Sequence, residues 1–178
     1  MTFVILPLSD LLESSSEDLV QGRISRFSCE RSPELEDYLH NRAIMMEKKG
    51  MSRTYLAIDR DTNDILGFFS LGMKCMRVPD NTPISKTMRK RMNIDDETGV
   101  AQSFLLGQLA RSDCSKTGFG AILIDEAINR LIQANRIVGC RLVRLDCSDD
   151  VVDYYEGKGF KFINKNSQAN LNQMVIMI

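Results

Sequence analysis

Near the middle of the chain an apolar strand pattern, SFLLGQLAR (residues 103–111), runs into a short polar loop, and the glycine pair Gly118 and Gly120 then opens the helical repeat GAILIDEAINRLI. A second strand pattern, RLVRLDC, follows that helix. SDDVVDYYEGKG then reads as a capped helix, FKFI as a strand and NQMVIMI as the last strand. This alternation of strand and helix places the chain among α/β domains with a mixed sheet. SFLLGQLAR shows little alternation, which fits a central strand covered on both faces. Ala121, Ile124, Ile128 and Leu131 recur at helical spacing and predict the buried face of the long helix.

The first half supplies the remaining elements. MTFVILPLSDLLE has an apolar run only from Phe3 to Leu8 and no basic start, so a buried first strand explains it better than a signal or anchor. SDLLESSSEDLVQG reads as a surface helix or loop. RSPELEDYLHNRAIMMEKKG carries a Ser32 cap, a proline in the first turn, early acids, late lysines and a closing glycine, the marks of one helix. Leu35, Leu39, Arg42 or Ala43, and Met46 share its buried face. TYLAID and ILGFFSLGMKCMRV flank the turn-rich RDTND and predict a hairpin whose second strand is long, with Gly67 and Gly72 marking bulges or bends. ISKTMRKRM predicts a short basic helix, and NIDDETGVAQ an acidic loop.

At 178 residues, with 43% hydrophobic and 26% charged residues, the chain fits a single globular domain spanning 1–178. A formal net charge of -1 excludes a global basic field for nucleic acid or a membrane surface. The five cysteines are odd in number and widely spaced with no C-x-x-C, so neither a disulfide framework nor a zinc site is indicated, and reduced cytoplasmic thiols are expected. His40 is the only histidine, and a histidine-based triad has no other source.

Two readings of the glycine pair stand. The first turn of a helix has unpaired N–H groups and a partial positive charge, and residues Ser115 to Gly120 could cradle a phosphate there. Alternatively, the glycines relieve a crowded strand–helix turn. A dinucleotide fingerprint is excluded, because its third glycine would fall on Leu123.

The neighbouring residues favour the first reading. LGQLARSDCSKTGFGAILIDEAI resembles the core motif of the GNAT superfamily, the GCN5-related N-acetyltransferases. In that family a strand like Leu109-Ala110-Arg111 leads into a Gln/Arg-x-x-Gly-x-Gly/Ala loop that binds the pyrophosphate of acetyl-CoA. The loop match is Ser115-Lys116-Thr117-Gly118-Phe119-Gly120, continued by Ala121, with Ser115 where Gln or Arg is usual. CSDDVVDYYEGKGFKFI is similar to the family's late segment. There Tyr155 falls on the tyrosine that protonates the departing thiolate, and Asp150 on a position where an Asn contacting the cofactor is common. The resemblance covers residues 103–163. It implies a mixed, mostly antiparallel sheet with a splayed parallel pair, flanked by helices, and acetyl-CoA as donor.

RFSCERSPELEDYLHNRA, SRTYLAID, ILGFFSLG and ISKTMRKRM resemble the GNAT branch that includes toxins of toxin–antitoxin modules, which acetylate the α-amino group of aminoacyl-tRNA. Gln108 stands where those toxins usually have Arg. The resemblance implies direct attack of a primary amine on the thioester, with Tyr155 as general acid and the backbone around Leu109 to Arg111 holding the pantetheine. A toxin-type acceptor and a non-catalytic acyl-CoA-binding module stay open as alternatives. The branch also implies a homodimer and a small antitoxin partner. Tyr155 could equally be a core aromatic. Asp146 and Asp149 suit helix capping. Cys147 suits a buried apolar role. No general base is legible beyond His40. Lys86, Arg89, Lys90 and Arg91 could meet tRNA phosphates, or could form a solvated face balanced by Asp95, Asp96 and Glu97.

Overall fold

In the computed structural model, which describes residues 2–166 and 169–178, the chain builds a seven-stranded sheet flanked by helices. In chain order the sheet strands are β1 (Phe3–Pro7), β2 (Arg53–Asp59), β3 (Ile65–Met73), β6 (Phe104–Arg111), β7 (Leu142–Cys147), β8 (Lys161–Asn166) and β9 (Leu171–Met177). Two short strands, β4 (Met76–Arg77) and β5 (Val100–Ala101), form a separate ribbon. The sheet order is β1-β2-β3-β6-β7-β9-β8, mostly antiparallel, with β6 and β7 the parallel pair. That parallel ladder consists of Phe104↔Val143 and Leu105↔Arg144. By contact density the chain divides into two units, Met1–Gly72 with Gly107–Ala127, and Met73–Leu106 with Ile128–Ile178.

In the first unit the serine-rich stretch folds as two helices, α1 (Leu8–Ser14) and α2 (Glu17–Ile24). The helix expected from Pro33 to Lys48 is instead two, α3 (Pro33–Asn41) and α4 (Ala43–Lys48). Arg42 breaks the run: its backbone leaves helical space (φ -125°), although its N–H still reaches the Tyr38 carbonyl at 2.9 Å. The predicted face survives the break, since Leu39 and Ala43 are fully buried. Ser32 stands at the head of α3 but makes no side-chain cap bond; its carbonyl takes the Leu35 N–H instead. Phe27 packs edge-on against Phe68 at 5.4 Å, and Tyr38 stacks on the same ring, so the four helices close over β2 and β3.

The hairpin link is RDTND as predicted, with Asn63 at φ 61°. The β2–β3 register slips between Ala57↔Gly67 and Ile58↔Ile65, which leaves Leu66 as the extra residue of a bulge. Gly67 is required there. A Cβ would lie 2.6 Å from Leu123 Cδ1 and 2.8 Å from the Ala110 carbonyl oxygen. The second strand does not run on to Val78 as expected. It ends at Met73, and β4 leaves to pair with β5 inside the segment read as an acidic loop. Ser103, buried, fixes this departure by accepting the Lys74 N–H on its carbonyl at 3.0 Å and donating its hydroxyl to the Lys74 carbonyl.

The expectation that β6 is covered on both faces is not met. Phe104, Leu106 and Ala110 are buried, but Leu105, Gln108, Leu109 and Arg111 are half-exposed, so the strand has one core face and one open face. The long helix α6 (Phe119–Val138) buries Phe119, Leu123, Ile124, Ala127 and Leu131, while Ala121 and Ile128 are only half-buried. The stripe is rotated from the predicted one because Phe119 anchors its phase, its ring packing edge-on against Phe3 at 5.3 Å.

In the second unit, Met76, Val78, Met92, Leu142, Ile163 and Val175 form a small core. The basic segment forms α5 (Lys86–Arg91), capped by Ser85, whose hydroxyl oxygen accepts the Met88 N–H at 3.1 Å. Ser85→Ala is expected to remove about 1 kcal/mol of stability, read as a lowered urea midpoint with an unchanged slope. A changed slope would instead mean that the ribbon and α5 unfold separately from the rest.

Candidate active site

The loop from Ser112 to Gly118 is built by short bonds of its own. The Ser112 N–H donates to the Leu66 carbonyl at 2.8 Å, which continues the β3–β6 edge by one residue. Ser115 is buried and turned inward; both its hydroxyl (2.7 Å) and its N–H (3.1 Å) go to the Ser112 carbonyl. The Phe119 N–H bonds Lys116 O, and the Ala121 N–H bonds Gly118 O. Those three N–H groups are therefore committed within the turn. Among the described residues no partner takes the N–H groups of Lys116, Thr117, Gly118 or Gly120. Successive open N–H groups at the head of a long helix form a concave anion site.

Gly118 adopts φ +89°, a region that side-chain-bearing residues avoid, and a Cβ there would meet no atom within 4 Å. Crowding therefore does not explain this glycine. The turn needs its backbone conformation, and the space above it is open.

On β6 the Gln108 N–H donates to the Ser70 hydroxyl at 2.9 Å. Gln108 and Ser112 thus direct their N–H groups toward β3. Because backbone groups alternate along a strand, Leu109 and Arg111 direct theirs to the opposite edge. Arg111 also braces the loop, its guanidinium donating to the Ser115 carbonyl at 3.4 Å.

Tyr155 lies on α7 (Val152–Gly157) in the second unit, edge-on to Tyr154 at 5.5 Å and to Phe160 at 5.6 Å. Burial, with smaller contributions from Cys147 and Tyr154, pushes its phenol up to about 12. Among the described residues nothing hydrogen-bonds its hydroxyl. Burial also pushes the Cys147 thiol up to about 11, helped by Asp146, Asp150 and Asp149. That thiol sits 3.5 Å from Met174 Sδ and stays protonated, as expected of an apolar filler.

The carboxylates on this side are not helix caps. Asp146 takes a two-pronged bond from buried Arg144 (2.8 and 2.7 Å), and Asp149 accepts from Lys165 Nζ and Asn172 Nδ2, which together hold its carboxyl below the usual range. The helix after β7 starts through a 3-10 turn (Asp149–Val151) with no side-chain cap, and Asp150 is exposed on that turn. His40 Nε2 lies 2.9 Å from the Phe27 carbonyl, so that nitrogen carries the proton and serves the α2–α3 connection. Among the described residues no cluster of His, Cys, Asp or Glu could hold a metal ion.

On α5, Arg89 is spent on the Pro79 carbonyl and lies 3.7 Å from Asp80. Lys86, Lys90 and Arg91 are exposed. With Arg77, Asp95 and Asp96, the first two help to line a cavity of about 830 Å³. Asp95 is held below the usual carboxylate range by the hydroxyl and N–H of Thr98. One anchor had no sequence signal. Asp113 binds Ser28 and Glu30, more than 80 positions away.

No family model matches the sequence. The chain is similar in structure to AtaT complexed with acetyl-methionyl-tRNAfMet, at TM-score 0.76 and 20% identity over 99% of this chain and 95% of that one. A tyrosine-to-phenylalanine mutant of KacT matches at TM-score 0.73 and 20% identity, covering 97% of this chain and 94% of that one. A corresponding AtaT mutant toxin, bound to the C-terminus of the antitoxin AtaR and to acetyl-CoA, matches at TM-score 0.72 and 18% identity over 98% and 92%. The sheet order, the single parallel pair and this near-complete coverage give one conclusion: the chain has the GNAT fold, in the form these toxins share.

Proposed function

We propose that the chain is an acetyl-CoA-dependent N-acetyltransferase, acting as one catalytic domain. The observation that carries this reading is the row of open N–H groups on Lys116, Thr117, Gly118 and Gly120, at a turn where a Cβ on Gly118 would meet only open space. Those groups suit a pyrophosphate, with the Lys116 ammonium adding charge. The outward N–H groups of Leu109 and Arg111 would hold the pantetheine as a strand is held, and one of them would polarise the thioester carbonyl. Asp150, exposed in the middle of the 3-10 turn, would be a weaker cofactor contact.

The neutral amine attacks the thioester carbonyl and forms the C–N bond, the C–S bond breaks as Tyr155 gives its proton to the departing thiolate, and the proton shed by the attacking nitrogen passes through water to restore the phenol. Its raised pKa keeps the proton in place at working pH. The same desolvation would make the leaving thiolate more basic, so the two stay matched. That forms of both AtaT and KacT carry a tyrosine-to-phenylalanine change supports the importance of one tyrosine in this fold.

For the acceptor we favour the α-amino group of an aminoacyl-tRNA. The likeness to AtaT complexed with an acetylated aminoacyl-tRNA supports it. An α-amino group, with a pKa of about 7.7–8.0, also needs little help from a base, and His40 is occupied structurally. On α5, Lys86, Lys90 and Arg91 are exposed and would meet phosphates, whereas Arg89 holds its own loop. A small antitoxin and a second copy of the chain are the partners this reading carries, and acetyl-CoA with charged tRNA would place the reaction in the cytoplasm. No helix among the described residues is long and apolar enough to cross a membrane.

Calorimetry with acetyl-CoA tests the core of the proposal; no binding at millimolar cofactor ends it. Binding with no acetylation of any aminoacyl-tRNA or amine would leave the non-catalytic module instead. For the RNA contact, Lys86→Glu with Lys90→Glu is expected to weaken tRNA binding at least tenfold and flatten its salt dependence by about two units of slope. An unchanged slope would remove α5 from the interface.

A further inference from the structure

A carboxylate stands where an anion site least needs one. Asp113 lies three residues before Lys116, in the loop whose open N–H groups we assign to the donor's pyrophosphate. Electrostatics alone would disfavour it there. Its geometry explains its presence. One oxygen, Oδ2, accepts both the Ser28 hydroxyl at 2.6 Å and the Glu30 N–H at 2.9 Å. The Asp113 N–H donates in return to the Ser28 carbonyl at 3.0 Å. These bonds also hold its carboxyl below the usual range, with the Ser28 hydroxyl the largest cause.

The segment it grips is itself fixed at the far side. The Cys29 N–H donates to Glu36 Oε2 at 2.7 Å, and His40 holds the Phe27 carbonyl. Both come from α3. Residues 27–30 therefore form a strap between α3 and the loop, and Asp113 is the loop's own attachment to it. The Ser112 N–H ties the start of the loop to the Leu66 carbonyl on β3, and the remaining ties, Ser115 to Ser112 and Arg111 to Ser115, are internal to the loop or to the end of β6.

We infer that Asp113 is a positioning residue for the acyl-CoA donor, fixing the loop through Ser28 and Glu30 so that its open N–H groups converge before the ligand arrives. This rests on the acetyltransferase reading above. The strap restricts the loop in the free protein, so less order is lost on binding.

The sign of the effect separates positioning from charge. Removing a negative group beside an anion site strengthens anion binding if charge is what matters; removing the attachment weakens it. Asp113→Ala is expected to raise the Kd for acetyl-CoA at least fivefold, measured by calorimetry on protein shown to be folded by circular dichroism. Asp113→Asn can place its carbonyl oxygen at the Oδ2 position and keep both bonds without the charge, so its Kd is expected to equal the wild-type value or fall below it. Ser28→Ala removes one of the two donors on the exposed surface and is expected to weaken binding two- to threefold, which keeps the test alive if the alanine variant at 113 does not fold. Unchanged or tighter binding in folded Asp113→Ala overturns the inference. So does a loss in Asp113→Asn equal to that in alanine, or unchanged binding in Ser28→Ala. Failure of the wild-type protein to bind acetyl-CoA would instead sink the proposed function, and that measurement comes first.

Discussion

Tyr155→Phe is expected to lower kcat at least 100-fold, about 2.7 kcal/mol of barrier, with acetyl-CoA affinity and melting temperature close to wild type. The split follows from the surroundings of the ring. Tyr155 packs through its aromatic edge and face against Tyr154 and Phe160, and phenylalanine keeps those contacts. Its hydroxyl has no partner among the described residues, so removing it strands no buried group. A variant that loses activity and stability together would mean that the hydroxyl is structural.

The pH profile gives a second check. The group must be protonated to act, and burial pushes its pKa up to about 12, so raising the pH does not unload it within the usable range. The rate should rise with unit slope up to the amine pKa, near 8 for an α-amino acceptor, and then stay level to roughly pH 11. A descending limb near pH 9 that disappears in the phenylalanine variant would show that the phenol is solvated in the working complex.

Gly118→Val should damage both the turn and the ligand site. At φ +89° a β-branched residue costs about 1–3 kcal/mol if the turn keeps its shape, although its Cβ would touch nothing. If the turn relaxes to spare that strain, the N–H groups of Lys116, Thr117 and Gly118 no longer converge. With the turn kept, the valine side chain fills the open space above the N–H groups where the pyrophosphate would lie, so either route weakens acetyl-CoA binding at least tenfold, about 1.4 kcal/mol. Affinity measured well below the melting temperature separates this from loss of folded protein. A folded variant that binds as tightly as wild type would show that the loop has been misassigned.

The seven sheet strands, the long helix and the loop before it are legible from periodicity and glycine placement, whereas the short β4–β5 ribbon is not. The errors have physical causes. The break at Arg42 is invisible to a pattern that continues correctly through Leu39 and Ala43. The end of β3 depends on Ser103 clamping Lys74, a contact between residues far apart in sequence. The stripe of α6 is rotated from its sequence pattern because Phe119, which the motif places in the loop, anchors the helix by its ring. In the candidate site, the loop was legible as a segment but not its wiring. The motif offers Ser115 as a donor, yet both its polar groups turn inward. Asp113 gave no signal at all, because its partners lie on a connection between two helices.

The notch at Gly67 has a bearing on how such a chain can diverge. Its bare backbone seats the Ala110 carbonyl and the Leu123 side chain, and two neighbours on the same strand, Leu66 and Ser70, hold the N–H groups of Ser112 and Gln108. The strand that would carry the donor is thus registered from behind, by residues of β3. With its position set at the rear, the front is left to vary, and Ser115 can turn inward without disturbing the strand. Substitutions on β3 would be the silent ones to the eye and the costly ones to the reaction.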